Sequence, residues 1–141
     1  MSELISERMA RLWYKNILKK NRRLTFESFY SDLLYLGKTY DTEMTKKLLR
    51  VRLLMPRSKN SHILTEVRFT QKPKQLLRVA SYNTKTQKGM SCRRAHFYGT
   101  DSYPPCLGNG HRAIYAAIRQ GRYVDALEVI KTIFNTSGHA Q

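Results

Sequence analysis

Acidic residues are scarce in this chain: 10 Asp and Glu stand against 26 Lys and Arg in 141 residues, a formal net charge of +16. A folded chain so unbalanced is destabilised by its own repulsion, and the usual compensation is a partner that supplies negative charge. Cysteine is also scarce, and two residues do not make a disulfide framework. No stretch reaches the roughly 20 apolar residues that a membrane-spanning helix needs. Met1 to Asn21 is studded with Arg and Lys and has no uninterrupted apolar core, so it does not read as a signal peptide. These absences lead to the expectation of a protein of the cytoplasm, or of the nucleus in a eukaryote, with no membrane partner. Internal repeats, low-complexity runs, Walker-type loops and G-x-G-x-x-G, H-E-x-x-H or G-x-S-x-G motifs are all missing.

What is present is a compact-domain composition, 41% apolar, long enough to bury a core over residues 1–141 as one unit. Its charge is unevenly placed. Residues 1–43 hold eight bases and six acids, residues 44–94 hold fourteen bases and one acid, Glu66, and residues 95–141 hold four and three. The central block therefore marks where a polyanion would be met. Nucleic acid is the commonest such partner, because Lys and Arg displace the counterions condensed on its phosphates.

The N-terminal third reads as helical. Ser2 is placed to cap a helix from about Glu3 to Asn21, with Ile5, Met9, Leu12, Trp13 and Ile17 on one arc. Arg8, Arg11, Lys15, Lys19 and Arg22 fall together on another, as a basic stripe. Thr25 caps a second, apolar helix that Gly37 can terminate. Asp41 or Thr42 opens a third, in which Met44, Leu48, Val51 and Met55 form a core stripe ended by Pro56, with Lys46, Lys47 and Arg50 opposite.

The period then changes to two. Ile63, Thr65, Val67 and Phe69 share one side of a strand, and Leu77, Val79 and Ser81 or Leu76, Arg78, Ala80 and Tyr82 share the sides of its neighbour across a Lys72-Pro73-Lys74 turn. A further strand is expected around Met90 to Tyr98. Gly99 to Gly110 reads as loop. Two helices, about His111 to Arg119 and Tyr123 to Phe134, close the chain as a helical hairpin joined at Gln120-Gly121, with Gly108-Asn109-Gly110 as the tight entry. The expected fold is thus α+β: three N-terminal helices, a small antiparallel hairpin or three-stranded sheet, and a C-terminal helical hairpin.

That order of elements over residues 2–83 resembles a winged helix-turn-helix, with residues 84–141 as an appended strand, loop and hairpin. The resemblance implies DNA as the partner, Lys46, Lys47 and Arg50 facing the groove, and Lys72 and Lys74 on phosphates as the wing tip. The strands support a second mode, in which Arg68, Arg78, Arg93 and Arg94 lie near Phe69, Tyr82, Phe97 and Tyr98. Cations and rings on one sheet suit single-stranded RNA or DNA. Against this, aromatics at strand spacing are more often core.

Two further arrangements carry chemistry. Cys92, His96, Cys106 and His111 can be drawn as a zinc site, although the spacing C-x3-H-x9-C-x4-H matches no common finger. Free thiols, ordinary histidines and no cofactor are the expectation. His96 and His111, near Arg93, Arg94 and Arg112, supply the parts of a metal-independent ribonuclease without its geometry. The main expectation is a non-enzymatic nucleic-acid-binding regulator or accessory factor. An alternative is an interaction protein that inhibits a larger nucleic-acid-handling or ribonucleoprotein complex, as compositions of this phage-like kind suggest.

Overall fold

The computed structural model describes residues 5–58, 61–73, 75–81 and 107–136. Helix α1 spans Glu7–Leu18 and α2 spans Phe26–Thr39. Four strands follow, β1 (Asp41–Met44), β2 (Leu49–Ser58), β3 (Ser61–Phe69) and β4 (Leu77–Ser81). A 3-10 turn at Gly108–Gly110 leads into α3 (His111–Arg119), and α4 (Tyr123–Thr136) ends the described chain. The α+β class, with helices at both ends around an antiparallel sheet, is as expected.

Local chemistry starts the helices. The Ser6 hydroxyl accepts the Met9 N–H at 3.1 Å and caps α1, so the helix begins four residues later than a Ser2 cap would place it. Ser2 itself lies outside the described residues. Ile5, Ala10, Trp13 and Ile17 are buried, whereas Leu12, expected on the same arc, is exposed. Thr25 caps α2 as expected, its hydroxyl accepting the Ser28 N–H at 3.1 Å. Gly37 does not end that helix, which runs on to Thr39 with Gly37 buried inside it.

The third helix is replaced by strands. Residues 41–58 form β1, a turn and β2, because Leu49, Val51, Leu53 and Met55 also alternate at period two and that face is buried. Pairing with β3, Leu49 opposite Phe69 and Val51 opposite Val67, supplies the backbone partners that a helix would have found locally. Pro56 sits within β2 beside a register irregularity between Pro56 and Ser58, where a missing N–H is tolerated. The recognition helix placed at these residues by the winged-helix resemblance is therefore absent from them.

The strands form one antiparallel meander in the order β1-β2-β3-β4. One face carries Met44, Leu49, Val51, Leu53, Val67, Phe69, Leu77 and Val79 into the core under the helices. Tyr123 of α4 lies at the centre of an aromatic group, with ring centroids 5.1 Å from Phe69, 6.1 Å from Trp13 and 6.2 Å from Phe29. The C-terminal hairpin turns at Gly121, whose φ of +78° favours glycine and whose missing Cβ lets Ile17 and Phe29 pack closely. Asp32 of α2 reaches across to α4, where its carboxylate accepts the N–H groups of Tyr123 at 3.0 Å and Val124 at 3.2 Å. The strand expected at Met90 to Tyr98 lies outside the described residues.

Candidate nucleic-acid interface

Period-two alternation decides the second face of the sheet. With Val51, Leu53, Val67 and Val79 turned inward, Arg50, Arg52, Glu66, Arg68 and Arg78 must project from the other side. The register then lines them up. Glu43, Arg50, Arg68 and Arg78 stand opposite one another across all four strands, and Asp41, Arg52, Glu66 and Ala80 form the adjoining row.

Three arginines in one row would repel, since like charges directly opposite on a sheet are destabilising. Glu66 offsets this. The residue is 2% exposed, and its carboxylate is reached by Arg52 Nε at 3.1 Å, Arg68 Nε at 2.5 Å and Arg50 Nε at 3.8 Å. Glu43 pairs with Arg50, and Asp41 lies 3.4 Å from Arg52. Arg78 donates through Nη1 to the Leu77 carbonyl at 2.7 Å. The single acid of the central block thus ties together Arg50, Arg52 and Arg68 across the two rows. A guanidinium has five N–H donors, so one so held can still offer others outward.

Further cations flank the row in the turns. Because the sheet is a meander, the β1–β2 turn and the β3–β4 loop emerge at the same end, beside the Arg50-Arg68-Arg78 row. Lys46, Lys47 and Lys72 are exposed there, and none is in an ion pair among the described residues. The two loops are built alike. Thr45 Oγ1 accepts the N–H groups of Lys47 at 3.3 Å and Leu48 at 3.1 Å, and Thr70 Oγ1 accepts the Lys72 N–H at 3.2 Å. These threonine turns hold the backbone from which each lysine projects.

Helix α1 meets the same end. Trp13 donates its indole N–H to the Thr45 carbonyl at 2.9 Å. One turn beyond the stripe's Lys15, Lys19 and Lys20 share a groove with Thr70 and Gln71 of the β3–β4 loop. Arg8, Lys15 and Arg22 are exposed, while Arg11 is committed locally, to Glu7 at 2.8 Å and to the face of Phe26 at 4.0 Å.

Several expectations change. Lys46, Lys47 and Arg50 do not share a helix face; the lysines are on a turn and the arginine is on a strand. Phe69 is fully buried on the face opposite Arg68, so it offers no stacking surface. Tyr82, Phe97 and Tyr98 lie outside the described residues, as do Lys74, Arg93 and Arg94. Cys92, His96 and Cys106 do too, which leaves His111 alone of the proposed zinc and catalytic groups. It is exposed at the start of α3, its ring 4.5 Å from Tyr115. Among the described residues no three His, Cys, Asp or Glu side chains are grouped to hold a metal.

Residue selection by charge alone passed over Arg52 and Lys20, and gave Glu66 no part. The alternation of Leu49 to Met55 was the available signal for the arginines, since period two there sends Arg50 and Arg52 to one face; Glu66 becomes their neighbour only through the β2–β3 register. No protein-family model, curated protein or solved structure matches this chain.

Proposed function

We propose that this protein binds nucleic acid through the phosphate backbone, without catalysing its chemistry, as an accessory or regulatory factor. One observation carries the reading. The meander collects cations distant in sequence at one end of the sheet, with Arg50, Arg68 and Arg78 in a row and Lys46, Lys47 and Lys72 in the adjoining loops. A row of guanidiniums with exposed lysines at its rim suits phosphate oxygens, which accept from several donors at once. Binding of this kind reads backbone rather than bases and needs no helix in a groove.

Affinity for a duplex should fall with salt at about 0.9 log units per log unit of salt for each phosphate engaged. Fluorescence anisotropy with a labelled duplex across a salt series tests this. A dependence that is flat overturns the reading.

A second reading is favoured by Leu54 and Leu64, cross-strand partners on the arginine-bearing face that are 65% and 42% exposed. An apolar pair beside ordered arginines suits a protein surface, as in an inhibitor of a larger nucleic-acid-handling complex. Nuclease treatment of a native complex separates the two. Release of the protein identifies nucleic acid as the bridge, and persistence identifies a protein partner.

A further inference from the structure

The end of the sheet has a hollow on its helical side. A groove of about 300 Å³ lies between the C-terminal end of α1, the C-terminal end of α3 and the β3–β4 loop. Ile17, Leu76 and Ile118 contribute its apolar part, and Lys19, Lys20 and Arg119 its charge. No acid lines it. This volume is at the small end of the range for ligand pockets, roughly 300–1,000 Å³.

We infer that this groove takes one unpaired nucleotide of the bound nucleic acid, its base against Ile17, Leu76 and Ile118 and its phosphates on Lys19, Lys20 and Arg119. The inference rests on the backbone-binding reading and gives it a second point of attachment. Two features select this occupant. The groove is continuous with the proposed interface, because the loop that forms its wall also carries Lys72. Its parts match a ligand with an apolar flat body and an anionic edge, not a bare phosphate.

A hydrogen-bonding group is available as well. Gln71 lines the groove, and its carboxamide oxygen is buried with no hydrogen-bond partner among the described residues. Terminal amide torsions are soft, so the side chain can turn to present that acceptor to a base amino group. The groove's walls are held in place by packing. Asn21 donates to the Gln120 carbonyl at 3.1 Å, joining the α1 end to the α3 end, and Gly121 packs against Ile17.

The test compares three duplexes of one sequence, in RNA and in DNA: fully paired, with one bulged adenosine, and with the same bulge abasic. The wild-type protein should bind the adenosine bulge about tenfold more tightly than the abasic bulge, a difference set by the base alone. Asn16 is exposed on α1 at the groove's lip, so Asn16→Trp should fill the groove, abolish that preference and leave the paired duplex bound as before. Equal binding of the two bulges by the wild-type protein, with the paired duplex still bound, overturns this inference and leaves the backbone reading standing. Failure of all three duplexes to bind overturns both.

Discussion

The Lys47 backbone N–H donates to the Thr45 hydroxyl at 3.3 Å, and 25 residues later Lys72 stands in the same relation to Thr70 at 3.2 Å. A threonine at the strand end thus sets each exposed lysine at the rim of the arginine row. Replacing Lys46, Lys47 and Lys72 with Gln should leave the melting temperature nearly unchanged, since all three are exposed. The salt slope of duplex binding should shrink by about 0.9 for each phosphate contact removed. Anisotropy across a salt series measures this, and an unchanged slope places the contacts elsewhere.

Glu66 is surrounded by Arg50, Arg52 and Arg68 and is almost fully covered. Glu66→Ala leaves those guanidiniums facing one another without their shared carboxylate. Removing one partner of a buried ion pair costs about 3–5 kcal/mol, and the partial exposure of the arginines puts this case at the lower end, about 3 kcal/mol. Urea denaturation reads it directly. A change below about 0.5 kcal/mol, the range of ordinary surface substitutions, counts against the network as a structural tie.

Asp32 is held differently, beneath α4 with two backbone N–H groups on its carboxylate. Burial dominates and pushes its pKa up to about 6, with Asp125 adding to the rise while those N–H groups and Arg122 oppose it. In the unfolded chain an Asp titrates near about 3.9, so between about pH 4 and about pH 6 the folded state holds more protons. Stability from this group is therefore present below pH 4 and lost as pH rises to about 6. Asp32→Asn keeps a capping side chain and removes the titration. Its denaturation midpoint should not show the fall that the wild type shows across that window.

Tyr123 places a hydroxyl in the centre of the core, where it is fully buried and has no hydrogen-bond partner among the described residues. Burial raises its pKa, so it stays neutral at any ordinary pH. An unsatisfied buried hydroxyl costs about 1–3 kcal/mol, and the ring contacts with Trp13, Phe29 and Phe69 do not depend on it. Tyr123→Phe should raise stability by about 1 kcal/mol in thermal or urea denaturation. A loss of that size instead means that the hydroxyl has a partner in the folded protein.

Helices were legible wherever their signals were local. Thr25 before Phe26, the Trp13 and Ile17 arc, and Gly121 between two alternating apolar stripes each specify their element within a few residues, and α2, α3 and α4 start where those signals put them. Residues 42–55 carried two messages. Met44, Leu48, Val51 and Met55 fit a helical period while Leu49, Val51, Leu53 and Met55 fit a strand, and nothing nearby chooses between them.

Composition and spacing thus determined the excess of positive charge, its concentration in the middle of the chain, the α+β class and the positions of most helices. All of these follow from the residues themselves or from neighbours within one or two turns. Tertiary structure decided the rest. Only pairing with β3 makes residues 49–58 a strand, and only that register brings Glu66 between Arg52 and Arg68. Its partners lie across a sheet, where hydrogen bonding and burial together, rather than local propensity, select which of two periods the chain obeys.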